Sequence, residues 1–458
     1  MFTYMFGRRK KKKSGSSKGG VEELPQVEFK PKAADKQVQQ GILISCRSIE
    51  QFPAANGLIA QALLARADQL MLDYSQQGVA VRIRVDGLWE GLPAMDREVG
   101  DAVLVIFKKL CSLNPADRRT RQQGKLPLTF QGVDWIIDFT SQGIATGERV
   151  LLRIEPKKQV LNTLEDLGMR EKMQQQLRDL LNSNKSMFVF SGVPGHGLPT
   201  MWRVGLESAD RFVRDFHSIE DVTTGDPELI NIGRHTFDKA AGETPMTVLK
   251  SLLLKQPDAL ILPDLFSPEI AKLVCGEVTN EGRYAITRVT AASTIEAIIK
   301  LMATYPESAK SLVKITCGCI NLRLVRRLCT ECRQPFQPTP QLLQKLGLPP
   351  GRVQALYQPF IPPPPEQRFD AQGKPLEIEI CTRCNGRGYF GRMGIFELLT
   401  MNDDIRGMLL QKPDVKSVLP VARKHGFLTL QEEGVLAVAQ GLTSLQELQR
   451  GLSPPKKA

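Results

Sequence analysis

The chain has 458 residues, 42% hydrophobic and 24% charged, a balance that excludes a disordered protein and predicts two or three domains, each with its own core. Lys and Arg outnumber Asp and Glu by 61 to 49, a formal charge of +12. Arg8, Arg9, Lys10, Lys11, Lys12 and Lys13 carry much of that excess in one run, so the body is only mildly basic and no specific nucleic-acid function follows.

Residues 1–38 are rich in Lys, Gly and Ser, include Pro25 and Pro31, and show no sustained periodicity. They read as a basic tail, either solvated or touching anionic lipid. Its apolar residues precede its charges, the reverse of a secretory signal, and no apolar run approaches the roughly 20 residues of a membrane-spanning helix. A cytoplasmic protein is expected, and its nine cysteines are then thiols or metal ligands in preference to disulfides.

Helical spacing over Leu58–Leu72 predicts a helix, and alternation at Val79, Val81, Ile83 and Val85 predicts a strand. Further alternation in 128–130, 133–139 and 150–154, with a helical stretch at 102–110, completes a small α+β domain over 39–157. A helix over Leu164–Leu181 then leads into the apolar strand Met187-Phe-Val-Phe190, and strand and helix alternate to about Ala303. That pattern predicts a doubly wound, mostly parallel sheet over 158–328.

The turn Ser191-Gly-Val-Pro-Gly-His-Gly-Leu-Pro-Thr200 follows that strand and precedes a helix, the setting in which a glycine-rich loop cradles phosphates. Gly192 and Gly197 have P-loop spacing, with Gly195 between them. A working loop continues with Lys on the β and γ phosphates and then Ser or Thr on Mg²⁺. Here those places hold Leu198 and Pro199, followed by Thr200. Charge, metal ligand and one amide donor are lost together, so ATP and Mg²⁺ are not expected to bind at ordinary strength. His196, within the turn, reads as a solvent-facing loop residue; His217, His235 and His425 read as packing or surface residues.

Ser218-Ile-Glu-Asp221 presents Glu220 and Asp221 after a strand, and Asp258-Ala-Leu-Ile-Leu-Pro-Asp264 is an apolar strand ending in Asp264, a Walker B-like arrangement. Cys329-Thr-Glu-Cys332 and Cys381-Thr-Arg-Cys384 form two C-x-x-C knuckles, whose four thiolates suit tetrahedral Zn²⁺ in a closed structural site. They flank a proline-rich insertion, giving a zinc subdomain over 329–400. Cys317 and Cys319 have the wrong spacing and read as small hydrophobes. Amphipathic helices broken at Pro413, Gly426 and Gly441 fill 401–458.

At these residues the chain resembles the type II secretion and type IV pilus assembly ATPases, over about residues 40–450. The resemblance is carried by Arg84-Val-Asp-Gly87, Gly147-Glu-Arg-Val150, Glu220-Asp221, Gln256-Pro-Asp258, Leu324-Val-Arg-Arg-Leu-Cys329 and Gly391-Arg-Met-Gly-Ile-Phe-Glu397. Ala422-Arg-Lys-His-Gly and Thr429-Leu agree with it. It implies a RecA-like P-loop NTPase core, a hexameric ring of like or mixed subunits, and a place in the cytoplasm at the inner membrane, beside the platform proteins of a secretion or pilus machine. It implies further that Glu220 positions water, that Asp264 lies at the metal, and that Arg84 and Arg149 of the small domain sit near the nucleotide cleft.

The departures lie where the family does its chemistry. Besides Leu198 and Pro199, Asp264 stands where Glu is usual and Phe266 where Arg is usual, and the two histidines of the family's His box fall at Arg283 and Thr290. The family's N-terminal docking domain has no counterpart in the sequence. Two readings follow: a non-hydrolysing scaffold or regulator, or an active extension ATPase with a non-standard loop, for which Arg203, one helical turn on, is the nearest replacement cation.

Overall fold

A computed structural model describes residues 24–158, 161–223, 226–349, 351–364, 367, 374, 376 and 378–453. The basic run Arg8–Lys13, with its suggested lipid contact, lies outside them. The chain divides after Lys158 into two compact units.

The first unit contains β1 (Glu28–Phe29), α1 (Lys36–Arg47), α2 (Phe52–Leu64), β2 (Ala67–Tyr74), β3 (Val79–Val85), β4 (Leu88–Met95), α3 (Arg97–Leu110), β5 (Gln122–Phe130), β6 (Val133–Ile144) and β7 (Gly147–Pro156). Its strands form one antiparallel sheet in the order β1-β5-β6-β7-β2-β3-β4. Alternation sets the faces: Val79, Val81, Ile83 and Val85 are buried while Ala80 and Arg82 point out, and the buried set packs with Ile59 of α2 and Phe107 of α3.

The helix expected over Leu58–Leu72 ends at Leu64. Arg66 takes a left-handed φ of 62°, which an α-helix of L-residues does not propagate. Beyond it Leu70, Leu72 and Tyr74 are buried at every second position, so residues 67–72 serve the sheet.

One charge pair lies inside this unit. Lys108 of α3 is fully buried, its Nζ 2.6 Å from Glu148 Oε1 of β7 and donating to the Asp117 carbonyl at 2.6 Å. Removing one partner strands the other in a low dielectric. Lys108→Met is therefore expected to lower the stability of this unit by about 3–5 kcal/mol, read as a shift in the urea midpoint. The double variant Lys108→Met/Glu148→Leu should recover most of the loss.

The second unit opens with α4 (Glu171–Leu181), β8 (Met187–Gly192), α5 (Leu198–Glu207), β9 (Phe216–Asp221) and β10 (Ile232–Phe237). It continues with α6 (Pro245–Leu253), β11 (Ala259–Leu262), α7 (Pro268–Asn280), β12 (Tyr284–Thr290), α8 (Thr294–Thr304), α9 (Ala309–Ile315) and β13 (Thr316–Leu328). After β14 (Gln334–Phe336), α10 (Pro340–Leu346) and β15 (Leu356–Gln358) come β16 (Tyr389–Thr400), α11 (Asp403–Gln411), α12 (Val415–Lys424), α13 (Leu430–Ala439) and α14 (Leu445–Leu452).

The sheet runs β10-β9-β11-β12-β8-β13-β16, parallel except for β16. Every residue of β8 is buried, as a strand covered on both faces requires. Phe188 and Phe190 pack with Trp202 of α5 on one face, and Met187 and Val189 join α6, α7 and α8 on the other. α4 begins later than its apolar pattern suggests, since Gly168, at φ 89°, interrupts the chain before it. The breaks at Pro413, Gly426 and Gly441 fall between the last four helices, whose first turns are capped by Asn402, Asp414, Thr429 and Ser444.

Candidate functional site

β8 ends in the glycine-rich turn, and the turn's backbone keeps the shape that its sequence context predicts. Gly195 and Gly197 take φ values of 80° and 87°, conformations that favour glycine, and Gly197 stands at the N-cap of α5. Leu198 and Pro199 are the first two residues of that helix. Leu198 is partly buried against the cluster of Phe188, Phe190 and Leu322, so its side chain packs inward and offers a phosphate no charge. Pro199 is exposed and has no N–H to give.

His196 is not the solvent-facing residue expected from its place in the turn. It is half-buried, and its Nδ1 accepts the backbone N–H of Leu324 in β13 at 3.2 Å. Burial, followed by the charges of Arg323, Arg450 and Arg392, pushes its pKa down to about 4. A neutral imidazole therefore ties the turn to the sheet.

The acidic residues are placed by β9 and β11. Glu220 is buried and lies 2.9 Å from the guanidinium of Arg234 in β10. Parallel register explains the pair: Ser218 stands opposite Arg234, which puts Arg234 on the same face as Glu220, two residues away. A second pair lies beside it, Asp226 with Arg288 at 2.9 Å, and Arg288 stacks over Trp202 at 5.1 Å. Glu220, Asp226, Arg234 and Trp202 line one small cavity. Asp221 binds the Thr223 hydroxyl at 2.6 Å and Lys239 at 3.4 Å, and the Thr223 contacts hold its carboxyl below the usual range.

Asp264 is exposed and accepts from Tyr305 Oη at 3.4 Å; burial first, and then this carboxylate, push the phenol up to about 12. Phe266 takes a left-handed φ of 56° and packs edge-on to Phe237 at 5.4 Å. The two positions matched to the His box do not meet. Thr290 pairs with Gly192 at the loop end of the sheet, while Arg283 precedes the far end of β12, about 20 Å away at strand spacing, and bonds to Glu277 at 2.6 Å. Arg203 is buried and held by Glu207 at 2.9 Å and by the Leu161 carbonyl, so it is committed elsewhere. In the first unit Arg84 makes a bidentate pair with Asp68 at 2.7 and 3.2 Å, and Arg149 lies 2.6 Å from Asp73.

The cysteine knuckles are brought together. The four Sγ atoms of Cys329, Cys332, Cys381 and Cys384 lie within 4.8 Å of one another, with Cys329–Cys381 at 3.8 Å and Cys332–Cys384 at 3.6 Å. Tetrahedral ligation at about 2.3 Å per thiolate requires sulfur separations near 3.8 Å. The Gly388 N–H donates to Cys384 Sγ at 3.3 Å, a support from the turn behind the ligand. The residues fit a four-thiolate metal centre. Cys319 is fully buried and Cys317 partly so, packed as small hydrophobes.

Two residues of this region escape a reading by spacing. Arg234 matters through a cross-strand register, and Glu397 of β16 through contacts that span the chain: it accepts from the Thr294 N–H and hydroxyl at 2.7 and 2.6 Å and from the Leu430 N–H at 3.0 Å.

Comparison with known proteins agrees with this architecture. The model of the family described as "Type II/IV secretion system protein" matches residues 47–450. The chain is 25% identical over 433 residues to the "Type IV pilus assembly ATPase PilB" of Thermus thermophilus, covering 94% of this chain and 46% of that protein. It is also 25% identical to the "Type II secretion system protein E" of Pectobacterium carotovorum, covering 86% and 74%. Among solved structures it resembles the Legionella pneumophila ATPase DotB, with TM-score 0.53, 10% identity and 86% and 93% coverage. The pilus retraction motor PilT with bound ADP gives TM-score 0.51, 14% identity and 88% and 97% coverage. The fold is thus that of these P-loop ATPases, and no helix among the described residues is long and apolar enough to cross a membrane. With its match running through both units and the cysteine centre, the chain belongs to the type II/IV secretion system protein family.

Proposed function

We propose that this chain is a non-hydrolysing scaffold or regulator in a type II secretion or type IV pilus-like machine. It takes the motor subunit's place in a cytoplasmic hexamer, of like or mixed subunits, against inner-membrane platform proteins. The observation that carries the reading is the start of α5, where Leu198 packs into the core and Pro199 has neither hydroxyl nor N–H. The ion pair of Glu220 with Arg234 supports it, because a carboxylate held by a guanidinium is a poor base for positioning water.

Titration with a fluorescent ATP analogue in Mg²⁺ tests the reading. No saturable binding in the micromolar range is expected, and no turnover. Tight binding with turnover would instead support an active extension ATPase, for which the retained backbone of Gly195 and Gly197 is the favouring observation.

The cysteine centre is proposed to hold one structural Zn²⁺. Elemental analysis of the purified chain should find about one zinc per chain, and Cys332→Ser should lose it together with protease resistance between β13 and β16. A zinc-free preparation with an intact subdomain would refute the assignment.

A further inference from the structure

On β9 and β10, two histidines meet ring to ring. His217 Nδ1 lies 2.9 Å from His235 Nε2, with ring centroids 5.0 Å apart. On the other side of its ring, His217 Nε2 lies 2.9 Å from Asp215 Oδ2. Asp215 is itself fixed, its backbone N–H donating to Asp258 Oδ2 at 2.8 Å. An ionised carboxylate only accepts, so Nε2 of His217 carries the hydrogen and Nδ1 carries a lone pair.

The backbone builds this arrangement. His217 stands opposite Gly233 and His235 opposite Ile219, which places both imidazoles on one face of adjacent parallel strands, with β10 at the sheet edge. A Cβ on Gly233 would lie 2.3 Å from His217 Nδ1, so the missing side chain is what leaves that nitrogen room. The pair belongs neither to the glycine-rich turn nor to the cysteine centre.

We propose that His217 and His235 form a binding site for a borderline divalent cation of the zinc, nickel and copper class. Imidazole nitrogens ligate such ions at about 2.0–2.1 Å, which sets two nitrogens of a tetrahedral site about 3.3–3.4 Å apart. The rings need to part by only about 0.4–0.5 Å. The cation takes the place of the proton between them, and that proton moves to His235 Nδ1, leaving both rings neutral. Asp215 keeps its bond to His217 Nε2–H and so orients the ligand, as outer carboxylates do in histidine metal sites; solvent fills the other positions.

Titration of the zinc-loaded full chain with Co²⁺ separates the two metal centres, because the thiolate centre already holds its zinc. Cobalt on four thiolates shows an intense thiolate-to-metal charge-transfer band, and cobalt on imidazoles does not. About one equivalent is expected to bind, without that band. His235→Gln and His217→Gln should each abolish that equivalent and leave the zinc content unchanged, and Gly233→Ala should weaken it about tenfold or more. Absence of that equivalent in the unaltered chain, or its persistence in His235→Gln, overturns the proposal. Circular dichroism checks each variant's fold; if His217→Gln unfolds, His235→Gln on the edge strand decides alone.

Discussion

Replacing Leu198 with Lys and Pro199 with Thr is expected to create micromolar Mg·ATP binding, where on the proposed reading none is expected of the unaltered chain. The turn already has the required backbone, with Gly195 and Gly197 in left-handed conformations and α5 starting directly after them. The exchange adds a cation, a metal-binding hydroxyl and the N–H that proline lacks. Two such contacts to charged oxygens at about 1.5–3 kcal/mol each amount to roughly 10²–10⁴-fold in affinity.

Turnover should remain absent in that variant, because Glu220 still faces Arg234 at 2.9 Å. Adding Arg234→Gln frees the carboxylate and is the step expected to bring hydrolysis, if Asp264 serves at the metal. Binding of Mg·ATP by the unaltered chain with micromolar affinity would sink this account of the turn. Unchanged affinity in Leu198→Lys/Pro199→Thr would show that the missing cation, hydroxyl and N–H are not what bars the nucleotide.

What the sequence disclosed follows from what periodicity encodes. The all-buried β8, the glycine turn and α5 are contiguous, so an apolar run and its flanking glycines suffice to place them. The cysteine centre was legible for a related reason: two C-x-x-C pairs are each local, and a shared metal is the common chemistry that joins them. Residues 67–72 misread because Leu70, Met71 and Leu72 fit helical and strand spacing alike, and Arg66, whose left-handed φ decides between them, carries no sign of it in its identity.

Side-chain partnerships across strands were not legible at all. Arg234 reaches Glu220 only through the parallel register of β9 and β10, and the same register joins His217 to His235. His196 looked solvent-facing because glycines and prolines surround it, yet β13, more than a hundred residues on, supplies its partner, Leu324. Each case needs the fold first. The absence of a cation at Leu198 and Pro199 is local and was visible; the ion pair of Glu220 with Arg234 is not local, and supports the proposed reading independently.

Glu397→Gln is expected to destabilise the second unit by about 2–4 kcal/mol near pH 4, the cost of a lost hydrogen bond plus a stranded buried donor. Glu397 is 3% exposed. One oxygen accepts both Thr294 donors at the start of α8, and the other accepts the Leu430 N–H at the start of α13, so β16 caps two helices whose first-turn N–H groups need acceptors. Glutamine retains one acceptor and turns an NH₂ toward a second donor.

The pH dependence distinguishes this role from ordinary packing. Burial raises the Glu397 pKa above the usual carboxylate range, against the lowering by Thr294, Leu430 and Arg323. A carboxyl whose folded pKa is raised binds its proton more tightly in the native state, so its contribution is full below the unfolded pKa and declines as pH rises through the folded one. Glutamine does not titrate. The stability gap between the unaltered chain and Glu397→Gln should therefore be widest near pH 4 and narrow toward neutrality, as read from urea midpoints across that range. A gap that widened with pH would mean that Glu397 is stabilised chiefly as the charged cap of α8 and α13, and that its bonds from Thr294 and Leu430 outweigh its burial.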